Sequence, residues 1–186
     1  MKGPFKWGKK SLVHLDNVHP DMVKVVNDAL TLYSTVDVGI ISSIRTIEEQ
    51  RAKVDAGVSQ TMRSRHIAAI PTQEAAFLYP RNETDTKERA VSHAIDIMAY
   101  ADGKGTWEDD YYFAFAEAMR VSAVKNGVAI VWGGSWSSLM QVPSIKTAID
   151  DYVAQCNSRK RKPFFDLGHY ELASSVYPAN YINEPT

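Results

Sequence analysis

The chain has 186 residues, with 21 basic and 22 acidic side chains, a formal charge of -1, and 45% hydrophobic and 23% charged residues. That balance is globular: it excludes intrinsic disorder and fibrous repeats, and it lacks the basic excess of a protein that grips nucleic acid through many phosphates. A single cysteine excludes a disulfide framework and any zinc site built on several thiolates, and no apolar run approaches the ~20 residues of a spanning helix.

The N-terminal stretch MKGPFKWGKKSLVHLD is basic but has no apolar core of signal-peptide length, so synthesis in a reducing cytoplasm is expected, with a separate release route for any action beyond it. Pro20 and Asp21 open the first predicted helix, whose apolar face is Met22, Val25, Val26, Ala29, Leu30 and Tyr33. Val36 to Ile41 is short and β-branched and reads as a strand. Thr46 and Glu49 form a capping box that starts a second helix, stopped at Gly57. Ser59 to Ser92 has weak periodicity and reads as a long loop, with one helical turn over Gln73 to Phe77.

Ala94 to Met98 reads as a buried strand carrying one acid. Asp109 to Asn126 is the longest predicted helix, with Phe113, Ala116, Met119 and Ala123 on one face and Gly127 after it. Val128 to Trp132 is a strand stopped by Gly133 and Gly134. Ile145, Ala148, Ile149, Tyr152, Val153 and Cys156 mark a further helix, with Cys156 a reduced core residue, and His169 to Leu172 is a last strand. Helices and strands mix without regular βαβ alternation. The expected fold is therefore α+β, a single domain over 1–186 with a small, mainly antiparallel sheet packed with helices.

Asp96 is the most telling residue, because an acid inside AIDIM is costly to bury unpaired. It needs a metal, a cation or several donors. His66, His93 and His169 each stand in a short polar pattern, whereas His14 and His19 lie in the approach to the first helix. Two histidines and a carboxylate form a usual catalytic zinc set that leaves a fourth position for water. The competing reading is a salt bridge from Asp96 to an arginine, with the histidines unrelated.

These residues carry a resemblance. Ser64-Arg65-His66, Ser92-His93-Ala94-Ile95-Asp96 and Asp166-Leu167-Gly168-His169 resemble, in order, the motifs of VanY-like (M15) metallopeptidases, specifically the phage endolysins that are L-alanyl-D-glutamate peptidases. Arg45-Thr46 with Glu49-Gln50, Gly57 to Thr61, and Trp132-Gly133-Gly134-Ser135-Trp136 are similar to further family segments, and the likeness runs from about Leu12 to Leu172. It implies the Hedgehog/D-Ala-D-Ala peptidase fold, one zinc per chain, and hydrolysis of the L-Ala–D-Glu bond of the peptidoglycan stem peptide. It also implies a role in host lysis, with a monomer synthesised in the host cytoplasm reaching the wall through a holin-type lesion.

The resemblance implies zinc ligands His66, Asp96 and His169, with Asp166 as the base. Two departures stand out: Ile67 to Val91 intervene between ligands that the family places close together, and Ser92 replaces a glycine. They make His93 an alternative ligand, but residues three apart in a strand point to opposite faces, which favours His66 as the partner of Asp96. Glu171 shares a strand face with His169 and is the alternative base. Arg45 follows a strand end and can bind a substrate carboxylate or the developing oxyanion, or else pair with Glu48 or Glu49.

Ser64 can bond substrate or order its loop, and Trp132 and Trp136 can form a stacking wall for substrate or pack in the core. Arg159-Lys160-Arg161-Lys162 reads as a solvated run that could touch anionic wall polymers. Within the insertion, Ile67, Ile70, Phe77, Leu78 and Tyr79 are expected to dock, with Arg81 to Arg89 as a charged flap. The alternative activities are a D,D-carboxypeptidase acting on D-Ala-D-Ala ends and a non-catalytic wall-binding or virion protein of the same fold.

Overall fold

The computed structural model describes residues 5–70, 90–178 and 180–181. The expected helical turn at Gln73 to Phe77 and the flap at Arg81 to Arg89 lie outside the described residues.

The order is α1 (Lys9–Leu15), α2 (Pro20–Asp28) continued by a π turn (Ala29–Tyr33), β1 (Asp37–Ser42), α3 (Ile47–Asp55), β2 (Ala69–Ile70), β3 (Ala94–Ala101), β4 (Lys104–Thr106), α4 (Asp109–Asn126), β5 (Ile130–Trp132), β6 (Ser137–Ser138), a 3-10 turn (Leu139–Gln141), α5 (Ile145–Ser158), β7 (His169–Leu172) and β8 (Asn180–Tyr181). The main sheet runs β1-β3-β7-β5-β6, with β4 also on β3, and every pairing in it is antiparallel. β2 and β8 form a separate antiparallel pair. The fold is α+β.

Local chemistry accounts for most of these elements. The imidazole of His19 caps α2 by accepting from the Asp21 amide at 3.2 Å, and Pro20 supplies a pre-set first turn. Met22, Val25, Val26, Ala29 and Leu30 are all buried. Thr46 and Glu49 make both bonds of the capping box on α3. Gly127 ends α4 with φ at +67°, where a side chain would be strained. Cys156 is buried on α5, as its apolar face required.

The sheet has two unlike faces, and β3 shows why. Ile95, Ile97 and Ala99 point into the core with α2 and α4, while Asp96 and Met98 point the other way. β7 pairs Tyr170 with Ile95 and His169 with Asp96, so Tyr170 and Leu172 join the core and His169 and Glu171 share the Asp96 face. Burying each of these large side chains contributes about 1.5–3 kcal/mol, so the register is strongly held.

That register corrects one expectation. β5 places Trp132 opposite Tyr170, on the core face, and Trp132 is 0% exposed. It is not part of a substrate wall.

Candidate metal centre

Three segments deliver the central groups. Asp96 and His169 face each other across the β3–β7 ladder, where cross-strand side chains meet. His66 comes from the loop before β2. That loop lies alongside the end of β1: the Arg45 amide donates to the His66 carbonyl at 2.8 Å, and the Ala68 amide to the Arg45 carbonyl at 3.0 Å. The Ser64 hydroxyl accepts from the His66 amide at 3.3 Å, so its observed contact orders the loop.

His66 Nε2 and His169 Nδ1 each lie 3.0 Å from Asp96 Oδ1 and 3.3 Å from each other. Among the described residues this is the one group of His, Cys, Asp or Glu placed to hold a metal ion. A tetrahedron with zinc–ligand bonds of 2.0–2.1 Å has edges of roughly 3.3 Å, so the triangle matches one face of such a site.

The outer contacts fix the rings. His66 Nδ1 donates to the Ser43 carbonyl at 2.6 Å, and His169 Nε2 donates to the Glu171 carboxylate at 3.0 Å. Each ring therefore has its other nitrogen left to face Asp96 and, with a metal bound, to offer the ion its lone pair, the arrangement that holds histidine ligands in one tautomer. The HYEL alternation made the closeness of Glu171 and His169 legible. No local signal pointed to the Ser43 carbonyl.

The other oxygen of Asp96 is taken by Arg45. Its Nη2 donates to Asp96 Oδ2 at 2.7 Å and to Ser42 at 3.0 Å, and its Nη1 to Gln50 at 3.3 Å. The expected alternative pairing of Arg45 with Glu48 or Glu49 is not the one formed. An arginine pair and a histidine pair meet on one carboxylate. Gln50 is fully buried, and its amide bonds Ser59 at 2.8 Å and the Thr61 carbonyl at 2.8 Å. This network gives the Arg45-to-Thr61 segment its shape. Gln50 carries it, a residue the sequence marked through the Glu49-Gln50 resemblance but without the buried role it has here.

Burial works against the Asp96 charge, but the His169 and His66 bonds outweigh it and hold the carboxyl well below its usual range. Burial also works against charge on His169. Asp96 and Glu171 overcome it and raise that ring to about 9 without a metal. His66 goes down, chiefly from burial. Asp166 is open to solvent, yet the atoms crowded around it raise its carboxyl by desolvation, and it feels the charges of His169, Asp96, His66 and Arg45.

The tryptophan–glycine turn positions the Asp166 segment. Gly133 donates to the His169 carbonyl and accepts from the Asp166 amide, and an added Cβ there would lie 2.3 Å from the Asp166 carbonyl oxygen. Trp132 Nε1 donates to the Leu167 carbonyl and Trp136 Nε1 to the Phe164 carbonyl, both at 2.9 Å.

His93 is not brought to this group. Its Nδ1 accepts from Arg65 at 2.9 Å on the α2 side of the sheet.

The profile of the family described as phage L-alanyl-D-glutamate peptidase matches residues 3–173. The chain is 26% identical over 169 residues to the L-alanyl-D-glutamate peptidase of Escherichia phage T5, covering 90% of this chain and 98% of that one. It is 29% identical over 111 residues to the L-alanyl-D-glutamate peptidase of Listeria phage A118, covering 60% of this chain and 30% of that relative. Among solved structures, the L-Ala D-Glu endopeptidase ChiX of Serratia marcescens matches with a TM-score of 0.63 at 30% identity, over 94% of this chain and 95% of that one.

Proposed function

This chain belongs to the phage L-alanyl-D-glutamate peptidase family, and on that premise we propose that it is a zinc-dependent endopeptidase that cuts the L-Ala–D-Glu bond of the peptidoglycan stem peptide. The observation that carries the reading is the convergence of His66, Asp96 and His169, with three ligand atoms 3.0–3.3 Å apart and the second nitrogen of each ring held by its own acceptor. His66, Asp96 and His169 would hold one zinc ion. When bound, the ion supplies Lewis acidity, lowering the pKa of a water toward neutrality and polarising the scissile carbonyl.

The remaining steps belong to this chain's own groups. Asp166 takes the proton from the attacking water and returns it to the leaving amine of D-Glu. Its raised pKa suits a group that must both accept and release a proton. Glu171 is the weaker candidate for that role, because its carboxylate is engaged on His169 Nε2. Arg45 fixes Asp96 through Oδ2, and its guanidinium is the cation available to a substrate carboxylate or to the developing oxyanion. The biological role that goes with this activity is host lysis, with passage to the wall through a holin-type lesion.

Digestion of purified muropeptides, followed by mass spectrometry and metal analysis, tests the reading. Expected are fragments with new N-terminal D-Glu, about one zinc per chain, loss of activity on chelation and return of activity with zinc. Release of free D-Ala would instead identify a D,D-carboxypeptidase. No product from zinc-loaded protein would identify a binding or virion protein, and full activity after verified zinc removal would remove the mechanism.

A further inference from the structure

Trp136 is placed in a way that neither core packing nor the metal centre requires. Its partner in the turn, Trp132, is wholly buried, whereas Trp136 is 38% exposed. Its backbone is held at φ +51°, a left-handed conformation that strains a bulky residue. The half-exposed indole lies beside the metal centre. Its centroid lies 5.6 Å from the His169 ring, at 33°. On another side Phe164, 47% exposed, stacks nearly parallel to it at 5.9 Å and 18°.

The pair is anchored. Trp136 Nε1 donates to the Phe164 carbonyl at 2.9 Å, Tyr152 Oη donates to the same carbonyl at 3.1 Å, and the Phe164 amide donates to Tyr152 Oη at 3.1 Å. The result is a rigid, uncharged aromatic ledge continuous with a ligand of the metal centre.

The geometry points to a sugar-stacking subsite: Trp136 and Phe164 receive the muramyl pyranose that carries the stem peptide. This rests on the L-Ala–D-Glu reading above and gives that reading a substrate determinant. The acyl side of the scissile bond is a single alanine, whose amine bears the lactyl ether of N-acetylmuramic acid. The sugar therefore starts within about two residue lengths of the attacked carbonyl, roughly 7 Å. A ledge whose nearest ring packs directly on a ligand imidazole falls within that reach. The C–H face of a pyranose is flat and apolar and matches the aromatic surface that Trp136 and Phe164 leave exposed, while an extended peptide offers no such surface.

The test compares two substrates with zinc-loaded enzyme: GlcNAc–MurNAc-tetrapeptide and the same tetrapeptide without sugar. Isothermal titration with the peptide-free disaccharide is run alongside. Wild type should favour the glycosylated substrate by about tenfold in kcat/KM, mainly through KM. W136A should bring that ratio close to one and abolish disaccharide binding, and W136F should restore most of both. A wild-type ratio near one overturns the proposal. So does W136A losing activity equally on both substrates, since the ring would then serve only His169. If wild type cuts neither substrate at L-Ala–D-Glu, the peptidase reading fails by itself, and the titration decides the ledge: binding that depends on Trp136 supports it, and no binding overturns it.

Discussion

On one face of β3 and β7, His66 and His169 converge on Asp96. On the other, His93 lies edge-on to His19 at 5.2 Å and takes a bond from Arg65. The two groups are nearly continuous in sequence: Arg65 precedes His66, and His93 stands three residues before Asp96. Both are buried, and burial lowers His66 as it lowers His93 and His19; of these four rings only His169 moves up. His169 rises to about 9 because two carboxylates flank it, whereas burial and then the Arg65 charge take His93 down to about 3. Burial does not separate a ligand from a structural histidine; what does is whether the ring finds a carboxylate and has its second nitrogen committed elsewhere. Arg65 ties the second cluster together by also donating to the Leu172 and Tyr177 carbonyls, at 3.2 and 2.7 Å.

The largest effect should separate the two faces outright. His66→Ala is expected to lose its zinc and at least roughly 1,000-fold in activity, since the Lewis acid leaves with the ligand. His93→Ala should keep most of its zinc by elemental analysis. The reverse pattern would mean that the long intervening segment had re-registered the site.

Asp166→Asn should retain zinc and fold while losing at least ~100-fold in kcat. Because the Asp166 carboxyl is raised, the acid limb of the wild-type rate profile should lie above the ordinary carboxylate range and should vanish in this variant. Glu171→Gln should be milder. Removal of an outer partner of a histidine ligand weakens metal binding about 10–100-fold, and saturating zinc should bring activity back. An active Asp166→Asn beside a Glu171→Gln that zinc cannot rescue would exchange their roles.

The smallest effect concerns the structural face. His93 is neutral when folded and is protonated more readily when unfolded. Its contribution to stability is full above pH 6.5 and is lost as the pH falls from there toward 3. At pH 4.5 the loss should be about 2–3 kcal/mol. Urea melts of wild type and His93→Gln across pH 4.5–7.5 should show the extra acid sensitivity only in wild type, and parallel profiles would contradict the assignment.

Most of the frame was legible where chemistry is local. Pro20, the Thr46–Glu49 box and Gly127 each marked a helix end with its own physics. α1 was missed because Gly8 offers no side-chain cap and only Ser11 and Leu15 of that helix are buried. β2 and β8 are two residues each, too short for any period to register. In the site, the chemistry of Asp96 was readable, but its partners come from 30, 51 and 73 positions away along the chain. The burial of Trp132 follows from its pairing with Tyr170, a long-range fact absent from the WGGSW pattern itself.

The long segment between His66 and Asp96 leaves and returns through one closed pair, in which Ala69 and Val91 exchange both backbone bonds, at 3.0 and 2.8 Å. The chain on the site side of that stem is secured separately, by the Arg45 bonds to His66 and Ala68. Doubling the length of such an excursion costs only ~0.6 kcal/mol of closure entropy. The stem therefore works as a socket: the length of chain between Ala69 and Val91 can change at little thermodynamic cost while the bonds that seat His66 against Arg45 stay as they are.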